Sequence, residues 1–279
     1  MKTINIGKEN ATFQEICALK DNRTKRIHEG KFFVEGVQNI KDALSSNWEI
    51  YAFIYSDYDS LSDWAKGILG KAEYCYKLSD NLMQKLSDKD EVSEILAIIK
   101  IKKQNIDIKS SNPIILLLDR PSKKGNFGSI IRSADAMNVD QILFTGHAVD
   151  IYDHNVITAS MGSFFKVPFM FVESNSEFEK IVQELKNKYK DFVIVGTSLQ
   201  TENSLDDYDF NRPVMILVGN ETNGLNKYYN QVADSLVKID MRSGIDSLNV
   251  ACATTTVLYE VNRQRKNAAK YTLNNVAVK

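Results

Sequence analysis

Cysteine, histidine and proline are scarce in this chain of 279 residues, which contains three cysteines, three histidines and four prolines. The cysteines, Cys17, Cys75 and Cys252, are far apart, odd in number and never form a C-x-x-C pair. His147 and His154 have no cysteine near them in the sequence. We therefore expect reduced thiols and no metal, which excludes a disulfide framework and a zinc module.

Long apolar runs and an excess of one charge are also missing. No apolar run approaches the roughly 18 residues of a membrane helix, and the first ten residues, MKTINIGKEN, lack the apolar segment of a secretory signal. We therefore expect a cytoplasmic protein without a membrane segment. The 35 basic and 36 acidic residues nearly cancel, so any nucleic-acid surface must be a local patch.

Glycine-rich nucleotide motifs are absent as well. No G-x-G-x-x-G follows a predicted strand, which disfavours a dehydrogenase and a Rossmann-type methyltransferase. The turn LVGNETNGL has the glycine spacing of a phosphate loop, but Leu225 and Asn226 stand where Lys and Ser or Thr are required. Glu221 inside an anion cradle would also repel the anion. A doubly wound nucleotide-binding enzyme therefore remains only an alternative, to be tested by titration with ATP or NAD.

Apolar runs alternate with helix-like stretches in both halves of the chain, which predicts an α/β fold. In the second half the predicted strands are uniformly apolar, as in a parallel sheet covered on both faces. The strands are predicted at 31–36, 49–56, 72–78, 93–101, 113–120, 141–146, 168–173, 192–198, 213–220 and 235–241. The helices of the second half are predicted at 127–137, 155–166, 175–190, about 226–233 and 247–269.

Such sheets bind ligands beyond the carboxyl ends of their strands, so the segments that follow the strands matter most. They are PSKKGNFGSIIRSADAM, LQTENS, ETNGL and RSGIDSLN. Taken singly, each is more simply a turn or a helix start, with Asn126 or Ser247 as an N-cap. Taken together, in this order and each after an apolar strand, they indicate one site.

The second half resembles the SpoU branch of the knotted RNA 2′-O-ribose methyltransferases. The first family motif stands here as NFGSIIRSA, the second as GNETNG and the third as IDM followed by SLN. Asp240 replaces the usual proline of the third motif. TASMGSFFKVP (158–168) is similar to a further helix segment of the family. The resemblance covers about residues 112–265.

The resemblance implies a C-terminal trefoil-knotted, parallel-sheet methyltransferase domain preceded by a smaller ribosomal-protein-like (L30e-like) α/β domain. The corresponding boundaries are 1–105 for the RNA-binding domain, 106–112 for a linker, 113–270 for the knotted domain and 271–279 for a tail. S-adenosylmethionine is the implied cofactor. Homodimers are implied too, with the last helix at the interface because of its apolar residues, which are Val250, Ala253, Val257, Leu258 and Val261.

Site residues are carried over by motif position. Arg132 is the implied catalytic residue, either as the proton acceptor or as a clamp on the target phosphate. Glu221 would hold Arg132 or Asn126 in place, or face the sulfonium. The other implied catalytic residues, which orient Arg132 and the 2′-hydroxyl, are Asn126, Ser247 and Asn249. The implied cofactor-binding residues are Thr197, Gly219, Ile239 and Leu248.

The first half carries a basic cluster before a predicted strand, and we expect it to contact RNA phosphate rather than simply to end a helix. Its members are Arg23, Lys25, Arg26 and Lys31. Beyond the motifs, the chain is similar to the avilamycin-resistance 23S rRNA methyltransferases, which favours 23S rRNA as the substrate and antibiotic resistance as a consequence. A tRNA ribose remains an alternative, as does an inactive RNA-binding protein of the same fold.

Overall fold

The computed structural model describes residues 2–102, 106, 108–244 and 247–276, which belong to two compact units. Unit 1 comprises Met1–Lys103 with Asp150–Lys166, and unit 2 comprises Gln104–Val149 with Val167–Lys279. Residues 150–166 thus pack with unit 1 although they lie within the predicted second domain. The domain boundaries at 105 and 113 stay a prediction, and residue 107 of the predicted linker lies outside the described residues.

Unit 1 is built on a five-stranded sheet of order β1-β4-β3-β5-β2, in which β5 is antiparallel to β2 and β3. The strands are β1 Lys2–Ile6, β2 Lys31–Glu35, β3 Ile50–Tyr55, β4 Tyr74–Leu78 and β5 Leu96–Lys100. The helices are α1 Ala11–Asp21, α2 Arg23–Glu29, α3 Val37–Ser45, α4 Asp63–Ile68, α5 Asp80–Leu86 and α7 His154–Ser160. The sequence did not predict β1, α1 or α2.

Unit 2 is built on a six-stranded parallel sheet of order β11-β9-β10-β6-β7-β8, as the apolar strands predicted. The strands are β6 Ile114–Asp119, β7 Gln141–Thr145, β8 Phe169–Val172, β9 Val193–Thr197, β10 Val214–Val218 and β11 Ser235–Val237. The helices are α6 Lys124–Ala136, α8 Asn175–Lys188, α9 Lys227–Val232 and α10 Val250–Val276.

The central strands β6 and β10 are neighbours in register, with Leu118 opposite Val218. Their carboxyl ends therefore deliver residues 119–123 and 219–224 to the same edge of the sheet. Helix α10 runs beside α6, where the hydroxyl groups of Ser133 and Thr255 lie 2.6 Å apart. These two loop segments and the starts of α6 and α10 surround the site described below.

The apolar residues of α10 were predicted to lie at a dimer interface, but several of them are already buried inside the chain. Val257, Leu258 and Val261 are buried within a single chain. They are therefore core residues of unit 2, and the homodimer stays a prediction. The helix continues to Val276, into the predicted tail, and residues 277–279 lie outside the described residues. Within the described ranges, no helix combines the length and apolar character needed to cross a membrane.

Arg26 is a buried structural residue and not the exposed RNA contact that was predicted. Its side chain is 2% exposed, and its guanidinium donates to the carbonyl oxygens of Leu19 and Lys20 at 2.9 and 2.5 Å. It also pairs with the carboxylates of Asp150 and Asp153 at 2.7 and 3.6 Å. A guanidinium that is buried and neutralised in this way cannot bind phosphate. Arg26 is therefore removed from the predicted set of RNA-binding residues.

We predict that Arg26→Met lowers the free energy of unfolding of unit 1 by about 3–5 kcal/mol, because it leaves buried carboxylates without their partner. Both tryptophans, Trp48 and Trp64, belong to unit 1, so urea unfolding followed by tryptophan fluorescence reports on it. Arg23→Met, at an exposed position of the same helix, is the control. Equal, small effects of the two substitutions would contradict the structural role of Arg26.

Candidate active site

A cavity of about 550 Å³ opens beyond the carboxyl ends of β9, β10 and β11, beside the start of α10. Its lining mixes apolar and polar side chains, and its volume lies in the range of small-molecule sites. All four predicted cofactor-binding residues line it, together with two of the predicted catalytic residues. They are Thr197, Gly219, Ile239 and Leu248, with Glu221 and Ser247.

The turn after β10 closes on itself and forms one wall of the cavity. The backbone groups of Asn220 and Gly224 exchange two hydrogen bonds, at 3.0 and 2.9 Å, and Gly224 has a φ of +63°, which favours glycine. At Gly219, a Cβ atom would lie 2.1 Å from the carbonyl carbon of Gly224. Gly219 is thus required by the turn itself.

Three predicted catalytic residues form a chain of hydrogen bonds. The side-chain oxygen of Asn249 accepts from the backbone N–H of Ala251 at 2.8 Å, so Asn249 caps α10 in place of the expected Ser247. Its amide group must then donate, and it does so to the side-chain oxygen of Asn126 at 3.1 Å. The Asn126 amide in turn donates to Oε1 of Glu221 at 3.1 Å. The cap therefore fixes the orientation of both amides.

Glu221 is held as a carboxylate. Burial alone would raise its pKa, but hydrogen bonds from Ser122 and Asn126 outweigh burial, so the pKa of Glu221 lies below its ordinary value. The hydroxyl of Ser122 donates to Oε2 at 2.7 Å. A negative charge thus stands in the wall of the cavity at neutral pH.

We predict that Glu221→Gln removes a pH-dependent part of the stability. A carboxyl group whose pKa is lowered in the folded state stabilises the fold above its unfolded pKa, and the contribution is lost as the pH falls through the folded pKa. The wild type should therefore exceed the variant by roughly 1 kcal/mol at neutral pH and lose this advantage below about pH 4.5. Thermal unfolding across this range measures it, and a difference that does not change with pH would contradict the assignment.

Arg132 is separate from this chain. It lies on α6 with an exposed side chain, and its guanidinium makes no hydrogen bond or ion pair with any residue that the structure describes. Of the two partners suggested for Glu221, the structure therefore has Asn126 and not Arg132. An exposed guanidinium keeps its proton and can bind an anion.

The remaining members of the predicted RNA cluster lie in unit 1. Arg23 is exposed, at the start of α2. Lys25 pairs with Glu29 at 2.8 Å, and the ammonium group of Lys31 lies 3.8 Å from the same glutamate. Lys31 also lies 3.8 Å above the ring of Tyr51. Part of the cluster's charge is therefore already balanced by acidic neighbours.

Several residues of the site were not found from the sequence. Asp119 ends β6, Arg120 and Ser122 follow it, and the side chain of Asn220 donates to the backbone oxygen of Arg120 at 2.7 Å. The available signal was their place at the end of an apolar strand or just after it, but only the family-motif residues of that loop were singled out.

The replacement of proline by Asp240 is accommodated locally. Oδ2 of Asp240 accepts from the hydroxyl of Ser204 at 2.6 Å. The LQTENS loop, which contains Ser204, is also attached to β11, because Thr201 and Asn203 donate to the carbonyl oxygen of Leu236 at 3.3 and 3.2 Å. The departure from the family motif therefore does not disrupt this edge of the cavity.

Comparison with known proteins defines the class. The model of the SpoU rRNA Methylase family matches residues 113–259, more than half of the chain, and the model of the SpoU L30e-like domain matches residues 10–97. The chain belongs to the SpoU rRNA methylase family. The predicted fold class, family, enzyme class and cofactor are thereby confirmed.

Individual relatives are similar over nearly the whole chain. The 23S rRNA (uridine(2479)-2′-O)-methyltransferase of Streptomyces viridochromogenes is 37% identical over 93% of this chain and 92% of its own. The 23S rRNA (guanosine(2553)-2′-O)-methyltransferase RlmP of Bacillus subtilis is 24% identical over 91% of this chain and 98% of its own. The crystal structure of the SpoU methyltransferase AviRb from S. viridochromogenes with AdoMet superposes with a TM-score of 0.86, at 36% identity, over 92% of this chain and 98% of that one.

Proposed function

We propose that the protein transfers the methyl group of S-adenosylmethionine to a ribose 2′-hydroxyl of 23S rRNA. The observation that carries the proposal is that the Asn249–Asn126–Glu221 chain ends in the wall of the cavity that also contains the four cofactor-binding residues. The names of the two relatives described above support the choice of 23S rRNA.

The cavity suits the cofactor chemically. Its apolar residues can surround the adenine, and they include Leu225, Ile239, Leu248 and Val257. The Glu221 carboxylate faces the same space and offers a negative charge to the sulfonium. When bound, S-adenosylmethionine supplies a methyl group that is already activated for transfer.

The residues of the protein must then position the 2′-hydroxyl group and provide for the removal of its proton. As the bond from the 2′-oxygen to the methyl carbon forms and the carbon–sulfur bond breaks, the hydroxyl proton must leave. We assign Arg132 to the phosphate of the target nucleotide, because an exposed guanidinium is a poor proton acceptor and a good phosphate ligand. A phosphate oxygen then accepts the proton, while Asn126, Ser247 and Asn249 orient the ribose.

Three further features belong to the proposal. The protein acts as a homodimer, which large exposed side chains around the cavity and on α10 support, namely Leu199, Leu248 and Tyr259. The last strands and loops form the trefoil knot. The protein acts in the cytoplasm, where its substrate is assembled into ribosomes. A monomer in sedimentation experiments would contradict the first of these features.

Labelled S-adenosylmethionine tests the substrate. The protein and the labelled cofactor are incubated with 23S rRNA in one reaction and with bulk tRNA in another. The labelled nucleosides are then identified by chromatography. We expect 2′-O-methylated nucleosides from 23S rRNA alone. Label in tRNA alone would support the tRNA alternative, and no label with bound cofactor would support an inactive RNA-binding protein. Antibiotic resistance is a separate prediction, tested by expression in a sensitive host.

We predict that Arg23→Ala combined with Lys25→Ala weakens RNA binding mainly at low salt. Each lost phosphate contact should reduce the slope of log affinity against log salt by up to about one unit. Filter binding over a series of salt concentrations measures the slope. Lys8→Ala with Lys71→Ala removes two exposed lysines elsewhere in unit 1 and serves as the control. An identical slope for both double variants would rule out phosphate contacts by Arg23 and Lys25.

A further inference from the structure

Arg120 stands at a conformationally costly position. Its φ is +53°, in the left-handed region that non-glycine residues rarely adopt. Its side-chain stem fits only because Gly146 lacks a side chain, since a Cβ atom there would lie 2.5 Å from Cγ of Arg120. Such a conformation persists only where the surrounding contacts compensate for it.

The compensating contacts converge on the guanidinium. Nε and Nη2 of Arg120 donate to the two carboxylate oxygens of Asp119 at 2.9 and 2.8 Å. Nη2 also lies 3.3 Å from the carbonyl oxygen of Gly224. Asp119 is 1% exposed, and its carboxylate accepts in addition from the backbone and side chain of Asn226, at 2.8 and 3.2 Å. The pair therefore binds residues on the far side of the 219–224 turn.

The backbone of Arg120 holds the near side of the same turn. Its carbonyl oxygen accepts from the side chain of Asn220 at 2.7 Å, and the other end of that side chain accepts from the N–H of Thr222 at 2.9 Å. Glu221 lies between these two residues. Both ends of the turn that carries Glu221 are thus attached to one residue at the end of β6.

We propose that Arg120, together with Asp119, is a positioning residue that fixes the Glu221 turn both against Asn126 and in the wall of the cofactor cavity. The inference rests on the proposed function. Arg120 acts through the turn: when the guanidinium is removed, Glu221 is no longer held at hydrogen-bond distance from Asn126, and the cavity wall loosens. A shift of about 1 Å at a reacting centre lowers turnover by about 10²-fold.

Three variants test the proposal. Arg120→Asn removes the guanidinium but tolerates a positive φ. Arg120→Lys keeps a cation beside Asp119, yet one ammonium group cannot bind both carboxylate oxygens and Gly224 in the same geometry. Arg212→Asn is the control, because Arg212 forms an exposed pair with Asp209 at 3.0 Å. All are assayed well below their unfolding temperatures, for cofactor affinity by calorimetry and for kcat on RNA.

We expect Arg120→Asn to weaken cofactor binding roughly tenfold and to lower kcat about 10²-fold, and Arg212→Asn to change neither. Arg120→Lys should be more stable to heat than Arg120→Asn, because it keeps a cation beside Asp119. Its kcat should nevertheless stay low. Recovery of kcat along with stability in Arg120→Lys, or wild-type kcat and affinity in Arg120→Asn, would overturn the proposal. If the wild type bound the cofactor but methylated no RNA, the proposed function would fail, while the affinities alone would still decide whether Arg120 positions the turn.

Discussion

Arg132→Ala is expected to abolish most methyl transfer and to leave both folding and cofactor binding unchanged. The guanidinium is exposed and makes no hydrogen bond or ion pair within the described part of the chain, so its removal costs the folded state little. It also lies outside the lining of the cavity proposed for the cofactor. The loss should therefore fall on turnover, by about 10²–10⁴-fold, as for a group that acts on the reacting nucleotide.

Single-turnover transfer from labelled S-adenosylmethionine measures the effect, with calorimetry for cofactor affinity. Arg263→Ala provides the matched control, because Arg263 is exposed on α10 and pairs only with Glu260 among the described residues. Arg132→Lys separates the two proposed roles, because lysine keeps the charge but loses the bidentate grip. Wild-type turnover in Arg132→Ala would show that the role carried over from the family motif is wrong.

Gly219→Ala is expected to weaken cofactor binding strongly by distorting the turn. The added Cβ would lie 2.1 Å from the backbone nitrogen of Leu225 as well as from the carbonyl carbon of Gly224, and neither atom can swing aside as a side chain could. The turn must open, which moves Glu221 and the cavity wall together. Overpacking of this kind costs about 1–3 kcal/mol, or roughly 10–100-fold in affinity.

Calorimetry with S-adenosylmethionine and thermal unfolding check the prediction. Gly67→Ala is the control, since nothing lies within 4 Å of a Cβ at that helical position. There the exchange should be neutral or slightly stabilising. Cofactor affinity equal to that of the wild type in Gly219→Ala would mean that the turn can relax, and that its closure does not shape the cavity.

Much of unit 2 was predictable because its strands are apolar on both faces. Such strands appear in the sequence as continuous apolar runs between helix-like stretches. Strand β1 was missed because Lys2, Thr3 and Asn5 are exposed and only Ile6 is buried, as in a short edge strand. Helices α1 and α2 depend on capping side chains at Asn10 and Asn22, which are individually weak signals.

The site residues that belong to family motifs could be predicted. Residues whose role depends on contacts with distant parts of the sequence could not. Arg26 was assigned to RNA because a basic cluster in a sequence does not show that Asp150, 124 residues away, neutralises one member. Asp119 and Arg120 were overlooked because their role depends on Gly224 and Asn226, more than 100 residues later. Burial of a charge is a tertiary property and leaves no local pattern.

Primer extension on 23S rRNA at low nucleotide concentration tests the central proposal most directly, because a 2′-O-methyl group stalls the polymerase at the modified ribose. The template is 23S rRNA treated with S-adenosylmethionine and either the wild type or the Arg132→Ala variant. We predict one new stop with the wild type and none with the variant. The same stop with both proteins, or stops on tRNA and none on 23S rRNA, would contradict the proposed function.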